Sequence, residues 1–370
     1  MSRGLGGATE SRRWRHRGVV LAGALAVLLA GCTDGAPDSG VRGDAAPTGA
    51  STPAPPTGIA SGPTDETATG DETATGGEST TDAATSTVTS PGPPDDTEVT
   101  SEAPQTVELP RGGTEIFPDY RLFGYSGLPG APGMGRMGIG DLDERVAEME
   151  ERGEEYAGGR ELLPVLELIA TVVHASPGAD GMYRTYIPES VIQDHLDAAR
   201  RHDGILLLNI QPGRSDFLDE VRHYEEWLKE PDVGVALDPE WAVEEGQVPG
   251  EVYGRTSGSE LDDVAHYLST LVEEHGLPEK VMVYHQVHPG VVQDELDMHP
   301  HEGVVMIKSV DGIGAPSDKV KTYNKVNETR PDFVVPGFKL FYEEDAAMGP
   351  LMTGAEVLAL DPQPQYILFE

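Results

Sequence analysis

Eight short apolar runs recur between Tyr120 and Glu370, and stretches with helical periodicity separate them. The runs cover 120–125, 165–172, 205–210, 233–237, 281–285, 304–309, 338–342 and 365–369. Short apolar segments alternating with amphipathic helices are the pattern of a parallel sheet with helices on its faces. Eight strand–helix units in about 250 residues match the usual size of one (β/α)8 barrel. Asp141 precedes a Glu-rich helix, Ser215 precedes a helix over 217–228, and Ser259 with Asp262 forms a variant of the capping box. Val264, Leu268 and Leu271 share one face of that last helix. Ser317 is expected to open the helix after the sixth strand. The sequence ends on the eighth run, so the usual final helix is expected to be absent and Glu370 to stand on the rim. The flank left open would be covered only if the segment before the first strand wraps it. A flavodoxin-like or Rossmann sheet would need a Gly-rich turn opening a helix after its first strand. Here Gly127, Gly130, Gly133, Gly135 and Gly138 are interleaved with Pro129 and Pro132, which describes a loop.

The residues ahead of the barrel are of two other kinds. From Thr33 to about Gln105 the chain is Pro, Gly, Ser, Thr, Ala, Asp and Glu, with a tandem Asp-Glu-Thr-Ala-Thr-Gly repeat from Asp65 to Gly76. With almost nothing apolar to bury, such a segment cannot offset its ordering entropy, and its thirteen carboxylates against one arginine keep it extended. It reads as a disordered acidic tether over 32–110, ahead of a barrel domain over 111–370. Residues 1–31 read as a signal peptide: Arg12, Arg13, Arg15 and Arg17 precede an apolar stretch from Val19 to Ala30 that is short for a membrane span. The run Leu29-Ala30-Gly31-Cys32 resembles the lipobox of bacterial lipoprotein signals, which implies cleavage before Cys32 and lipidation of its thiol. The expected location is the outer face of the cell membrane. Ser11-Arg12-Arg13 leaves both general and twin-arginine export open. Cys32 is the only cysteine, so no intramolecular disulfide is possible.

Charge restricts the partners. Of the net −38, the leader carries +4 and the tether −12, leaving −30 on residues 106–370. A domain that acidic repels phosphate backbones, so nucleic acid is excluded as a partner. Solubility is the simpler account of the overall charge than a cationic substrate.

Alternation along the strands selects candidate site residues. In the run 233–241, Val235 and Leu237 must face the helices, which sends Gly234, Ala236, Asp238 and Glu240 into the barrel. The same parity turns Glu167, Asn209 and Gln211 inward. On the fifth strand Tyr284, Gln286 and His288 share one face and His285 the other; parity alone does not choose between them. Lys308 and Lys339 are expected to face inward, Lys339 carrying Phe341 and Glu343 with it. Asp238, Glu240, His288 and Glu343 then fall at strand ends, where barrel enzymes keep their catalytic groups.

Two carboxyl groups at one mouth suit glycoside hydrolysis, one protonated as acid and the other ionised. Asp238 beside Glu240 would keep Glu240 neutral, and Glu343 would lie across the mouth as its counterpart. Tyr125 and Trp241 could stack on a sugar face. Glu167, Asn209, Gln211, Tyr284, His285, Gln286, His288, Lys308 and Lys339 complete the expected substrate-binding set. No cofactor or metal is called for. Two other classes remain: a metal-dependent hydrolase using Asp238, Glu240, His285 and His288, and a non-catalytic surface module that binds wall glycan or a partner.

The pair Asp238-x-Glu240 resembles the fourth-strand motif of barrel glycoside hydrolases that act on chitin or peptidoglycan. More broadly, 120–370 is similar to a family of uncharacterised lipoproteins of high-GC Gram-positive bacteria. The resemblance is carried by Glu167-Leu168-Ile169-Ala170-Thr171, Leu237-Asp238-Pro239-Glu240-Trp241, His285-Gln286, Asp311-Gly312 and Lys339-Leu340-Phe341-Tyr342. It implies a glycoside-hydrolase-like barrel without an assigned reaction. The further aspartates of the chitinase pattern are here Val233 and Ala236, and the first strand reads Phe123-Gly124-Tyr125-Ser126 where lysozyme-type barrels carry an aspartate.

Overall fold

Eight parallel strands hydrogen-bond in sequence order and close on themselves in the computed structural model, which describes residues 107–370. They are β1 (Tyr120–Gly127), β2 (Glu161–Val173), β3 (Ile205–Ile210), β4 (Val233–Leu237), β5 (Lys280–Gln286), β6 (Val304–Val310), β7 (Val335–Leu340) and β8 (Tyr366–Phe369). Closure is made by β8 pairing with β1, with Tyr125 opposite Phe369. The (β/α)8 barrel and all eight expected strands are present. The leader, the lipidation candidate Cys32 and the acidic repeat lie outside the described residues. Among the described residues no helix is long and apolar enough to cross a membrane.

The helices follow the expected order, with corrected boundaries. Asp141 caps α1 (Leu142–Gly153), its carboxylate accepting from the Glu144 amide at 3.1 Å. The helix α2 (Glu189–Arg201) returns from β2 to β3. The helix expected over 217–228 is broken into α3 (Phe217–His223) and α4 (Glu225–Leu228). Neither Ser215 nor Asp216 caps it through its side chain, and the Phe217 amide donates instead to Glu260 at 3.0 Å. Ser257, not Ser259, caps α5 (Gly258–His275), its hydroxyl accepting from the Glu260 amide at 3.2 Å. The helix α6 (Pro316–Asn327) starts with proline in its first turn, so Ser317 is already inside it. Two short helices, α7 (Glu344–Met348) and α8 (Gly354–Leu358), lie between β7 and β8.

The hydrocarbon core divides at the sheet. Outside it, Leu166, Leu208, Val235, Leu237, Met282 and Leu340 pack on helix residues such as Leu196, Leu261 and Leu268. Inside it, Leu122, Leu163, Val165, Leu207, Val283, Ile307 and Leu368 fill the lower barrel. Inward glycines let the staves approach: a Cβ on Gly124 would stand 2.5 Å from the Val165 carbonyl, and one on Gly234 2.4 Å from that of Val281. The segment before β1 closes the bottom of the barrel and does not wrap its flank. Leu109 and Ile116 join the inner cluster, and the Ile116 amide donates to Glu279 at 2.7 Å. The folded region therefore begins before residue 111. The flank where β8 meets β1 is covered by aromatic side chains: Tyr342 lies 4.7 Å from Phe369, Phe123 lies 5.2 Å from Tyr156, and Arg152 sits 5.4 Å over Phe369.

Candidate functional site

Above the hydrocarbon layer the barrel interior turns polar within one residue pair per strand. Val165 is followed on the same face by Glu167, Leu207 by Asn209, Ala236 by Asp238, Val283 by His285 and Ile307 by Ser309. The C-terminal half of the barrel is thus lined by groups that need partners. Glu167 is fully buried at its centre and makes four contacts. Tyr366 Oη donates to it at 2.8 Å, Asn209 Nδ2 at 3.1 Å, and His285 Nε2 lies 3.2 and 3.3 Å from its two oxygens. Asn209 Nδ2 is shared with Asp238 Oδ1, also at 3.1 Å, and Gln211 Nε2 donates to Asp238 Oδ2 at 3.3 Å. Gln211 is itself oriented by the Val173 amide, which donates to its Oε1 at 3.1 Å. Lys339 pairs with Glu370 at 2.5 Å, and Ser126 donates to the same carboxylate at 3.3 Å.

The charges are not equivalent. Burial would raise the Glu167 carboxyl, but His285, Lys339 and Tyr366 hold it below the ordinary value. Burial would lower the His285 imidazole, but the carboxylates of Glu167 and Asp238 raise it. Lys339 is kept charged against its burial by Glu370, Asp311, Glu167 and Asp238. Asp238 is pushed up to about 6, by burial first and by Glu167 and Asp311 after it. Glu240 is raised well above the ordinary carboxyl range by burial, Asp311 and Asp238. It follows β4 in the 3-10 turn Pro239–Trp241, partly open to solvent, with a buried Oε2 that has no partner. The mouth therefore holds a carboxyl at Glu167 whose charged form is favoured and one at Glu240, two residues beyond Asp238, whose neutral form is favoured. That pairing can donate a proton while a neighbouring carboxylate stabilises positive charge.

The expected site residues separate into two groups. Glu167, Asn209, Gln211, Asp238, Glu240, His285 and Lys339 converge inside the barrel. The others lie elsewhere. Tyr125 faces outward, its hydroxyl 2.7 Å from that of Tyr342. Tyr284 also faces outward and donates to Glu295 at 2.6 Å. Lys308 was expected inside because a helix layer offers no partner for an ammonium; Glu295 provides one at 2.7 Å, and the Val326 carbonyl a second at 2.6 Å. Gln286 shares the Tyr284 face and donates to the His288 carbonyl at 3.2 Å. His288 is an exposed loop residue whose Nδ1 accepts from the Gly290 amide at 3.0 Å. Trp241 is partly exposed on the turn that holds Glu240. Glu343 is exposed at the start of α7, because β7 ends at Leu340 and the chain turns before the expected inward position is reached. It does not face Glu240 from within the barrel.

Three inward groups escaped the sequence reading of the site. Asp311 follows β6 with the parity of Ser309, is 4% exposed, and leaves its Oδ1 without a partner. Ser309 is fully buried with a free Oγ. Tyr366 rises from the lower layer to Glu167. Alternation extended two residues past the sixth run would have found Asp311. Among the described residues no group of three or more His, Cys, Asp and Glu side chains is arranged to hold a metal ion. No protein-family model matches the chain, and no curated protein matches it.

Proposed function

We propose that this chain is a lipoprotein anchored through Cys32 on the outer face of the membrane, whose barrel cleaves a glycosidic bond in a cell-wall or extracellular glycan. The observation that carries the catalytic part is Glu240: a carboxyl at the barrel mouth with its buried Oε2 free, whose neutral form is favoured by burial and by Asp311 and Asp238. In this reading Glu240 protonates the leaving oxygen. Asp238, fixed by Asn209 and Gln211, faces the positive charge that develops at the anomeric carbon. Glu167 and His285 form the support beneath, a buried pair that fixes Asn209 and with it Asp238. Trp241 offers an apolar ring beside the acid. The leader and the acidic tether supply the anchoring half of the proposal, together with the resemblance to wall-facing lipoproteins.

The test is a panel of wall, storage and chitin-type glycans offered to the full chain and to Glu240→Gln, reading product release and binding separately. Turnover by the native chain, lost in Glu240→Gln while binding persists, supports acid catalysis. Binding without turnover by either protein supports the second reading, a non-catalytic glycan-binding barrel. That reading is favoured by one observation, the exposure of Glu343, which takes the counterpart expected for Glu240 out of the mouth.

A further inference from the structure

The polar lining of the mouth is unbalanced in charge and in hydrogen-bonding capacity. Five carboxyl groups face it, from Glu167, Asp238, Glu240, Asp311 and Glu370, against His285 and Lys339, with Lys319 of α6, itself paired with Asp345 at 2.9 Å, also acting on Asp311. The two cations are largely committed: His285 is held by Glu167 at 3.2 Å and Lys339 by Glu370 at 2.5 Å. His285 Nδ1 reaches only to 3.8 Å from Asp311 Oδ2, beyond hydrogen-bond range. Two oxygens on the inward face of β6 and its extension, Ser309 Oγ and Asp311 Oδ1, are buried without any partner, in residues 0% and 4% exposed. Glu240 Oε2 is a third. Buried polar atoms without partners call for an explanation, and a cluster of them at one mouth, which also includes Asn209 Oδ1 and His285 Nδ1, is consistent with groups that a ligand supplies.

We infer that the glycan bound here carries a free amine, and that the ammonium of a hexosamine unit seats against Asp311 and Ser309. This inference rests on the glycan reading of the site and names the substrate class within it. An ammonium brings three N–H donors and no acceptor, which suits a pair of unpartnered oxygens in an anionic surrounding. An acetamido group would bring a carbonyl acceptor and no charge, and a plain hydroxyl no charge. The ammonium would also offset the Asp311 carboxylate, one of the two charges that press on Glu240.

The experiment measures binding alone, by calorimetry on the full chain, with three probes of equal length: a glucosamine oligomer, its N-acetylated counterpart and a glucose oligomer. The glucosamine oligomer is expected to bind on the order of tenfold more tightly than either of the others, with the margin shrinking as salt rises. Asp311→Asn should remove that margin. It changes only one of many acidic groups, so general attraction of a polycation to an acidic domain survives the substitution. Should Asp311→Asn fail to fold, Ser309→Ala serves in its place and should narrow the margin. Equal or tighter binding of the N-acetylated or glucose oligomer overturns the inference, as does binding of none of the three, or a margin unchanged in the variants. A glucosamine oligomer bound with the expected margin but never cleaved sinks the catalytic reading alone. Cleavage confined to acetylated or neutral glycans sinks the amine alone.

Discussion

His285 Nε2 lies 3.2 Å from Glu167 Oε1, and both side chains are completely buried in the centre of the barrel. Each group keeps the other charged where burial by itself would discharge both. Replacing Glu167 with Gln should therefore lower the His285 titration, since burial and Lys339 are then opposed by Asp238 without Glu167. Histidine NMR through a pH series would read it. An unchanged midpoint would mean that Glu167 is not the partner.

The support that Asp238, Glu240 and Asp311 give to the fold should weaken as pH rises from about 4. Asp238, with a folded value of about 6, binds its proton more tightly folded than unfolded, and so do Glu240 and Asp311. Such groups favour the folded state while protonated and withdraw that support as pH climbs through the window between unfolded and folded values. His285, also raised, acts in the same direction, losing its contribution above the ordinary imidazole value. Glu167 has the opposite sign and weakens the fold as pH falls below about 4.5. The Asp238 shift corresponds to ~3 kcal/mol as an order of magnitude. Thermal melting of the native chain and of Asp238→Asn at several pH values checks it, the variant showing the shallower slope between pH 4 and 6.

Lys308 and Glu295 should matter for folding but not for the site. Lys308→Met leaves the Glu295 carboxylate buried with only Tyr284 and Thr329 as donors, a loss of about 3–5 kcal/mol. Adding Glu295→Gln should recover much of that loss. Denaturant unfolding of the two single variants and the double variant measures the recovery, and glycan binding by the folded fraction should not change.

Glu343→Ala should leave stability within about 0.5 kcal/mol, because the side chain is exposed and outside the polar cluster. Glycan turnover should also stay within about twofold of the native chain. A loss comparable to that of Glu240→Gln would return Glu343 to the mouth and displace Asp238 as the partner of Glu240.

The barrel and part of its site were legible from residue order. Eight apolar runs of strand length, spaced for intervening helices, leave few arrangements other than eight parallel staves, since each run must be covered on both sides. Strand alternation is local, so the inward direction of Asp238 followed from Val235 and Leu237, and that of Glu167 and Asn209 from their own neighbours. Only the tertiary structure decided the rest. Lys308 faces outward because Glu295, thirteen residues earlier, pairs with it at 2.7 Å, a partner that no local pattern reveals. Parity left the fifth strand open, and packing of Tyr284 on Glu295 turned His285 inward to Glu167. Glu343 was lost to the site, and Asp311 gained, because alternation continues only where the backbone stays extended. The backbone leaves β7 at Leu340 for α7, while the line of β6 carries on to Asp311. Where a strand stops is set by what its ends pack against, and that is a property of the closed barrel.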